Sequence, residues 1–148
     1  MDYFNPALKL FHMTAGYSET PLIKKLGIKD TDKVKLVNVP DAYFTWLEKD
    51  LTNQLCKRNE LPDFVHLFVK NLQAFENDLQ KIIAKIKPTT VIWVSWYKKS
   101  SGISTDITET DIRNYALKNN LVDIKVCAVS EEWSGLKLVV PVAKRKFI

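Results

Sequence analysis

Phe64-Val65-His66-Leu67-Phe68-Val69 and Val91-Ile92-Trp93-Val94-Ser95-Trp96, with the stretch from Leu72 to Pro88 between them, decide the fold. The first run is apolar apart from His66, the pattern of a strand buried on both faces. Leu72, Phe75, Leu79, Ile82, Ile83 and Ile86 then recur at helical spacing and form one apolar stripe. Glu76 and Asp78 lie early in this helix, and Lys81, Lys85 and Lys87 lie late, which suits the helix dipole. Pro88 ends it, and the second apolar run is the next strand. Strand, helix and strand in this order imply a βαβ unit with a parallel pair and a right-handed crossover.

The same alternation extends in both directions. Upstream, Thr20-Pro21 predicts a helix start, with threonine as N-cap and proline at the first helical position. Leu22, Ile23 and Leu26 would face inward, and Gly27 would stop the helix. Val34 to Val39 reads as a strand, and Pro40-Asp41 ends it. Asp41 would cap a helix carrying Phe44, Leu47 and Leu51 on one side. Residues 52–62 are polar and predict a loop. Downstream, Tyr97 to Asp106 reads as a loop, and Thr108-Glu109-Thr110-Asp111 as a capping box with aspartate in the usual Glu or Gln position. That helix would run to about residue 120, with Ile112, Tyr115 and Ala116 inward. Asp123 to Val129 and Leu136 to Val142 read as two final strands, joined by Ser130-Glu131-Glu132-Trp133-Ser134-Gly135 as a hairpin connection. The expected fold is therefore α/β: a three-layer α/β/α sandwich with a Rossmann-like mixed sheet of about five strands, ending in an antiparallel hairpin.

The chain has 148 residues, and 46% are hydrophobic, which fits one folded domain over 1–148 and argues against disorder. Within it, residues 1–19 read as an irregular amino-terminal segment with Phe4, Leu8, Leu10, Phe11 and Met13 as anchors. Residues 143–148 read as a basic, frayed tail. No basic start followed by an apolar core is visible, and no run reaches the roughly 20 apolar residues of a membrane span. The expectation is a cytoplasmic protein with no membrane partner. Two cysteines, Cys56 and Cys127, make neither a disulfide framework nor a zinc site. Cys127 reads as a buried small hydrophobe; Lys57-Arg58 would favour a lower pKa for Cys56, but with no histidine motif beside it Cys56 reads as an unremarkable thiol. The net charge is +5, but Lys144, Arg145 and Lys146 supply three of those charges. The other lysines alternate with acids, so charge argues against a nucleic-acid partner except through the tail.

Several of these segments also resemble a known bacterial family. Val91-Ile92-Trp93-Val94-Ser95-Trp96-Tyr97-Lys98-Lys99, Thr105-Asp106, Thr108-Glu109 and Val129-Ser130-Glu131-Glu132-Trp133-Ser134-Gly135-Leu136-Lys137-Leu138-Val139 resemble the short stand-alone proteins of domain of unknown function 3052. Pro21-Leu22 and Lys25-Leu26-Gly27-Ile28 fit its start. The resemblance runs from about residue 18 to residue 142. It implies a bacterial cytoplasmic protein and carries no activity and no catalytic residues. A wider, fold-level likeness is to the later half of methyltransferases that use S-adenosylmethionine, which also have a helix ending in lysine-proline, here Lys87-Pro88, and finish with a hairpin.

The chemistry is sparse. Nucleotide and methyl-donor sites of such folds place glycines after the first strand, so that backbone can approach the ligand and a helix start can receive its anion. Here that turn is Asn38-Val39-Pro40-Asp41, without glycine and with a carboxylate where a phosphate would sit. No cofactor is implied. Ligands of open α/β sheets sit beyond the carboxyl ends of the parallel strands. The candidate ligand-binding residues there are Asn38, Asp41, Lys98, Lys99, Ser100, Ser101 and Asp106, with Lys98 to Gly102 as an anion cradle. Trp133 is the candidate lid or partner contact. No metal ligands and no catalytic set emerge. His66 reads as a hydrogen-bonded core histidine, with Asp63 three residues before it. Trp93 and Trp96, three apart, should point to opposite faces of the sheet.

Three functional readings follow in rank order. The first is a non-catalytic binding or regulatory module for a small anionic ligand or a protein partner, with homodimerisation through the apolar amino terminus as one form. The second is an enzyme of unrecognised, methyltransferase-like type using loop 97–106. The third is non-specific nucleic-acid binding through the basic tail.

Overall fold

The computed structural model describes residues 20–147, and side-chain surroundings to residue 145. The irregular segment expected over residues 1–19 lies outside the described residues. Five strands form one mixed sheet: β1 (Val34–Val37), β2 (Phe64–Phe68), β3 (Val91–Tyr97), β4 (Val122–Ala128) and β5 (Trp133–Val139), in spatial order β1-β2-β3-β5-β4. The first three are parallel, with Val34 opposite Phe64 and Phe64 opposite Val91. β5 lies antiparallel between β3 and β4. Among the described residues four α-helices accompany them: α1 (Leu22–Leu26), α2 (Tyr43–Leu47), α3 (Leu72–Ile83) and α4 (Glu109–Lys118).

The strand pattern explains the layers. Successive side chains on a strand point to opposite faces. Val65, Leu67, Ile92, Val94, Trp96, Leu136 and Leu138 point to one face and meet Phe75, Leu79, Ile82, Ile112 and Ala116 of α3 and α4. Phe64, Phe68, Trp93 and Trp133 point to the other, where Leu22 and Leu26 of α1 and Tyr43 and Leu47 of α2 cover them. The expected three-layer α/β/α arrangement follows, and Trp93 and Trp96 do separate to opposite faces.

The helix ends follow local chemistry. Asn71 starts α3 by accepting the Ala74 N–H at 2.8 Å. Thr108 and Asp111 close a reciprocal capping box on α4, with the Thr108 N–H donating to the Asp111 carboxylate at 3.0 Å. Gly27, at φ 77°, takes the left-handed turn that stops α1.

Several expectations are corrected. Pro21, not Thr20, is the N-cap of α1. Asp41 does not cap α2, whose N-cap is Ala42 in helical conformation. Leu47 faces inward as expected, but its inward companion on α2 is Tyr43, while Phe44 is 41% exposed. Segment 52–62 contains a turn of 3-10 helix, Thr52–Gln54. Leu55 then makes a parallel bridge to Val34 on the outer edge of β1, and the Cys56 N–H donates to the Val34 carbonyl at 2.9 Å. Within the expected tail, Val142–Phe147 winds into a 3-10 helix, and the Arg145 Nε–H donates to the Val140 carbonyl. Cys127 is half-buried against the α1–α2 face, and its thiol pKa is pushed up by burial. Burial, then Glu60 and Asp63, also pushes the Cys56 thiol up, against the lowering expected from Lys57 and Arg58.

The largest correction concerns the hairpin. β5 begins at Trp133, so Ser134 and Gly135 are strand residues rather than the turn. Gly135 pairs with Ser95 on one side and Cys127 on the other. A β-carbon at Gly135 would lie 3.0 Å from Val129 Cγ2 and 3.1 Å from Trp93 Cε3. The glycine is there for the indole, which is fully buried and has no room to retreat. Gly135→Ala is therefore expected to lower stability by about 1–3 kcal/mol. Urea denaturation checks this, and an unchanged midpoint would mean that the indole yields.

Candidate functional site

The carboxyl ends of β1 and β2 mark a switch point. From β1 the chain leaves to the α2 face, and from β2 it leaves to the α3 face. Such a divergence opens the crevice in which ligands of α/β sheets sit. The sequence places Asn38 to Asp41 on one side of it and Lys70 and Asn71 on the other.

Two candidate residues converge on α3. Asn38 stands at φ 60° and reaches across the crevice, its Nδ2 donating to the Asp78 carboxylate at 3.2 Å. Asp106 returns from the long loop after β3 and accepts the Leu72 N–H at 2.7 Å. Thr105 fastens the same loop, its hydroxyl donating to the Lys70 carbonyl at 2.8 Å. The first turn of α3 is thus held by two side chains of the protein itself, Asn71 and Asp106. An anion placed there would have to displace the Asp106 carboxylate.

Lys98 to Ser101 form a separate group. Lys99–Ser101 is a turn of 3-10 helix closed by Gly102 at φ 76°. The Ser101 hydroxyl donates to the Lys98 carbonyl at 2.7 Å and accepts the Ile103 N–H at 3.1 Å. Lys99 and Ser100 are exposed. Lys98 is half-buried, and its own N–H donates to the Glu132 carbonyl at 2.8 Å. Burial, with the neighbouring Lys25 charge, lowers the pKa of its ammonium, and Glu131 opposes the shift. The structure does not bring Asp41 into either group; its carboxylate is exposed before α2. Trp133 is 4% exposed, stacked on Tyr97 with ring centroids 4.2 Å apart and edge-on to Phe68.

The most ordered polar arrangement was not legible as such. His66 is fully buried between two hydroxyls, with Tyr43 Oη 2.8 Å from Nδ1 and Ser95 Oγ 2.8 Å from Nε2. A neutral imidazole donates at one nitrogen and accepts at the other, and either hydroxyl supplies the complement. Asp63, in contrast, accepts the Lys33 N–H at 2.8 Å and pairs with Lys87. The signal for the file is the alternation Phe64, His66, Phe68, which puts His66 on the α2 face beside Ser95 of the next strand. Dry and closed, the file holds sheet to helix. Among the described residues no group of histidine, cysteine and carboxylate side chains could hold a metal ion.

Comparison with solved structures finds Rossmann-like proteins. A protein of the NADB-Rossmann superfamily from Streptococcus agalactiae is similar with a TM-score of 0.50 at 10% identity, over 84% of this chain and 69% of that one. The M1A22 tRNA methyltransferase of B. subtilis gives 0.51 at 9% identity, over 86% and 68%. A SAM-dependent methyltransferase from Aquifex aeolicus gives 0.50 at 11% identity, over 93% of this chain and 99% of that one. At such identities the likeness is one of fold. It supports the wider likeness to methyltransferases drawn from the sequence. No protein-family model and no curated protein matches, so the resemblance to domain of unknown function 3052 rests on its motifs. Among the described residues no helix is long and apolar enough to cross a membrane.

Burial gives the polar file a pH signature. It lowers the His66 pKa to about 3, so the folded protein keeps the ring neutral where the unfolded chain protonates it near 6.5. The resulting contribution to stability is complete above pH 6.5 and is lost as pH falls toward 3. Wild-type stability should therefore fall more steeply than that of His66→Gln across this window, by up to about 1.4 kcal/mol per pH unit. Chemical denaturation at stepped pH measures it, and equal slopes would contradict the burial account.

Proposed function

We propose that this protein is a binding or regulatory module on a Rossmann-like frame, which takes a small anionic ligand or a protein partner at its strand-end surface without catalysing a reaction. The observation that carries the reading is the Asp106 carboxylate on the Leu72 N–H at 2.7 Å. It takes up the Leu72 N–H at the start of α3, the helix after β2, so that an anion at this side of the crevice would have to compete with a carboxylate of the protein itself. The preceding turn, Asn38-Val39-Pro40-Asp41, has no glycine to let a cofactor approach the backbone. Cations remain on the neighbouring turn, at Lys98 and Lys99, with Ser100 exposed beside them. Two free thiols, Cys56 and Cys127, suit the reducing cytoplasm.

A second reading, a methyltransferase-like enzyme, is the one that the likeness to solved methyltransferases favours. It would use Lys98, Lys99 and Ser101 on the turn after β3 together with Asp106 at the crevice. In that case Asp106 has to leave the start of α3 when the ligand arrives.

A thermal-shift panel of nucleotides, S-adenosylmethionine, S-adenosylhomocysteine, phosphosugars and coenzyme A separates the readings. A ligand at about 100 times its dissociation constant stabilises the fold by roughly 2.7 kcal/mol. A shift from an anionic compound that is lost in Lys98→Ala and Lys99→Ala supports the module. A shift confined to S-adenosylmethionine and its demethylated product, with methyl transfer to any acceptor, replaces it by the enzyme. Silence across the panel removes the small-ligand form and leaves a protein partner. Asp106→Asn weakens the cap on α3 and should cost about 0.5–2 kcal/mol in urea denaturation. Under the enzyme reading the same change should also tighten methyl-donor binding.

A further inference from the structure

The structure holds a ligand-sized groove at the end of the sheet opposite the strand-end crevice. It lies where α3 and α4 finish and where β5 runs out, and its volume is about 390 Å³. That falls within the range of roughly 300–1,000 Å³ usual for small-molecule sites. Its walls are apolar: Ile83 and Ile86 follow the stripe of α3 past its last turn, Leu121 follows α4, and Val140 follows β5. Ile86, Leu121 and Val140 are buried members of the core, so the floor is continuous with the packed interior.

The mouth has a different chemistry. Lys144 stands on it, with its Nζ donating to the Asn120 side-chain oxygen at 3.2 Å. Asn120 adopts φ 62°, which turns the chain sharply out of α4 and places that oxygen at the rim. The adjoining wall is braced, because Gln80 Nε2 donates at 2.8 Å both to Tyr115 Oη and to Asn119 Oδ1. Asn119 in turn donates to the Tyr115 carbonyl at 2.8 Å. Lys85 and Lys118 adjoin the lining residues in the chain, and both are exposed. Among the described residues, no carboxylate lines the groove, and Asp63 and Asp123 are paired with Lys87 and Arg113. A groove with apolar walls and a single ammonium held at its opening is complementary to one class of molecule: an apolar body bearing one anionic head.

We propose that this groove is a second ligand site, which binds an amphiphilic carboxylate as a free single molecule. The aliphatic body lies along Ile83, Ile86, Leu121 and Val140, and the carboxylate meets Lys144. The argument uses no residue of the strand-end crevice and does not depend on the proposed function.

Decanoate, decanol and acetate are the probes, added to the full-length protein and followed by calorimetry and by backbone amide shifts. Decanoate should bind below millimolar concentration and shift the amides of Leu121 and Val140, while acetate should not. Decanol, with the same chain and no charge, should bind about ten-fold more weakly, the worth of one charge-assisted hydrogen bond. Lys144→Glu alters an exposed side chain and should weaken decanoate by about the same factor while leaving decanol unchanged. Ile83→Trp fills the half-buried wall and should weaken both. Thermal unfolding of each variant confirms that it is folded. The proposal is overturned if decanoate shifts amides only elsewhere, or if it binds equally to wild type and both variants. Association with anionic phospholipid vesicles but not with monomeric decanoate would overturn it as well.

Discussion

One side of this protein is organised by the indole of Trp93. The ring is fully buried on the central strand β3, and its Nε1–H donates to the carbonyl of Leu26, the last residue of α1, at 2.9 Å. A single side chain thereby fixes where α1 lies on the sheet. Its other edge presses on Gly135 and so dictates the composition of β5. Burying a tryptophan is strongly favourable only when its N–H finds a partner, and the end of a short helix, with carbonyls to spare, supplies one. α1 and α2 have five residues each and would not persist alone in water. Their order comes from Trp93 and from the Tyr43–His66–Ser95 file beside it.

The strand-end crevice follows a related principle. Asn38 bridges it, Asp106 and Asn71 saturate the start of α3, and Ser101 spends its hydroxyl within its own turn. Each bond satisfies a group that a bound ligand would otherwise satisfy. The exchange for a ligand is then a difference between two hydrogen-bonded states, and it yields less affinity than an unoccupied cleft of the same shape.

What the sequence made legible was the periodic part. The alternation in β2 and β3, the stripe of α3 and the capping box of α4 each repeat a local pattern, and each lies within a few residues of its expected bounds. The failures share a cause as well. α2 spans little more than one turn, so although Leu47 and Leu51 are buried as expected, Phe44 could not be phased with them, and Tyr43 turned inward in its place. Trp133-Ser134-Gly135 carries the composition of a turn, yet its glycine answers to a ring 42 positions earlier in the chain. Asp106 and Leu72 are 34 residues apart, and His66 lies 23 and 29 residues from its two partners. Such pairings are set by strand register and leave no local trace.

The two margins of the sheet have a consequence of their own. Beyond β1, Leu55 and Cys56 already occupy the hydrogen-bonding side of Val34. On β4 the register slips between Asp123 and Lys125, which leaves Ile124 bulged outward and 58% exposed. A bulge twists a margin out of line, and a lysine set into it repels a like neighbour. Among the described residues, then, β1 is covered at Val34 and β4 is bulged at Ile124, so neither margin is a straight, vacant ladder along its whole length. Adding another copy strand by strand would first have to undo one of these features.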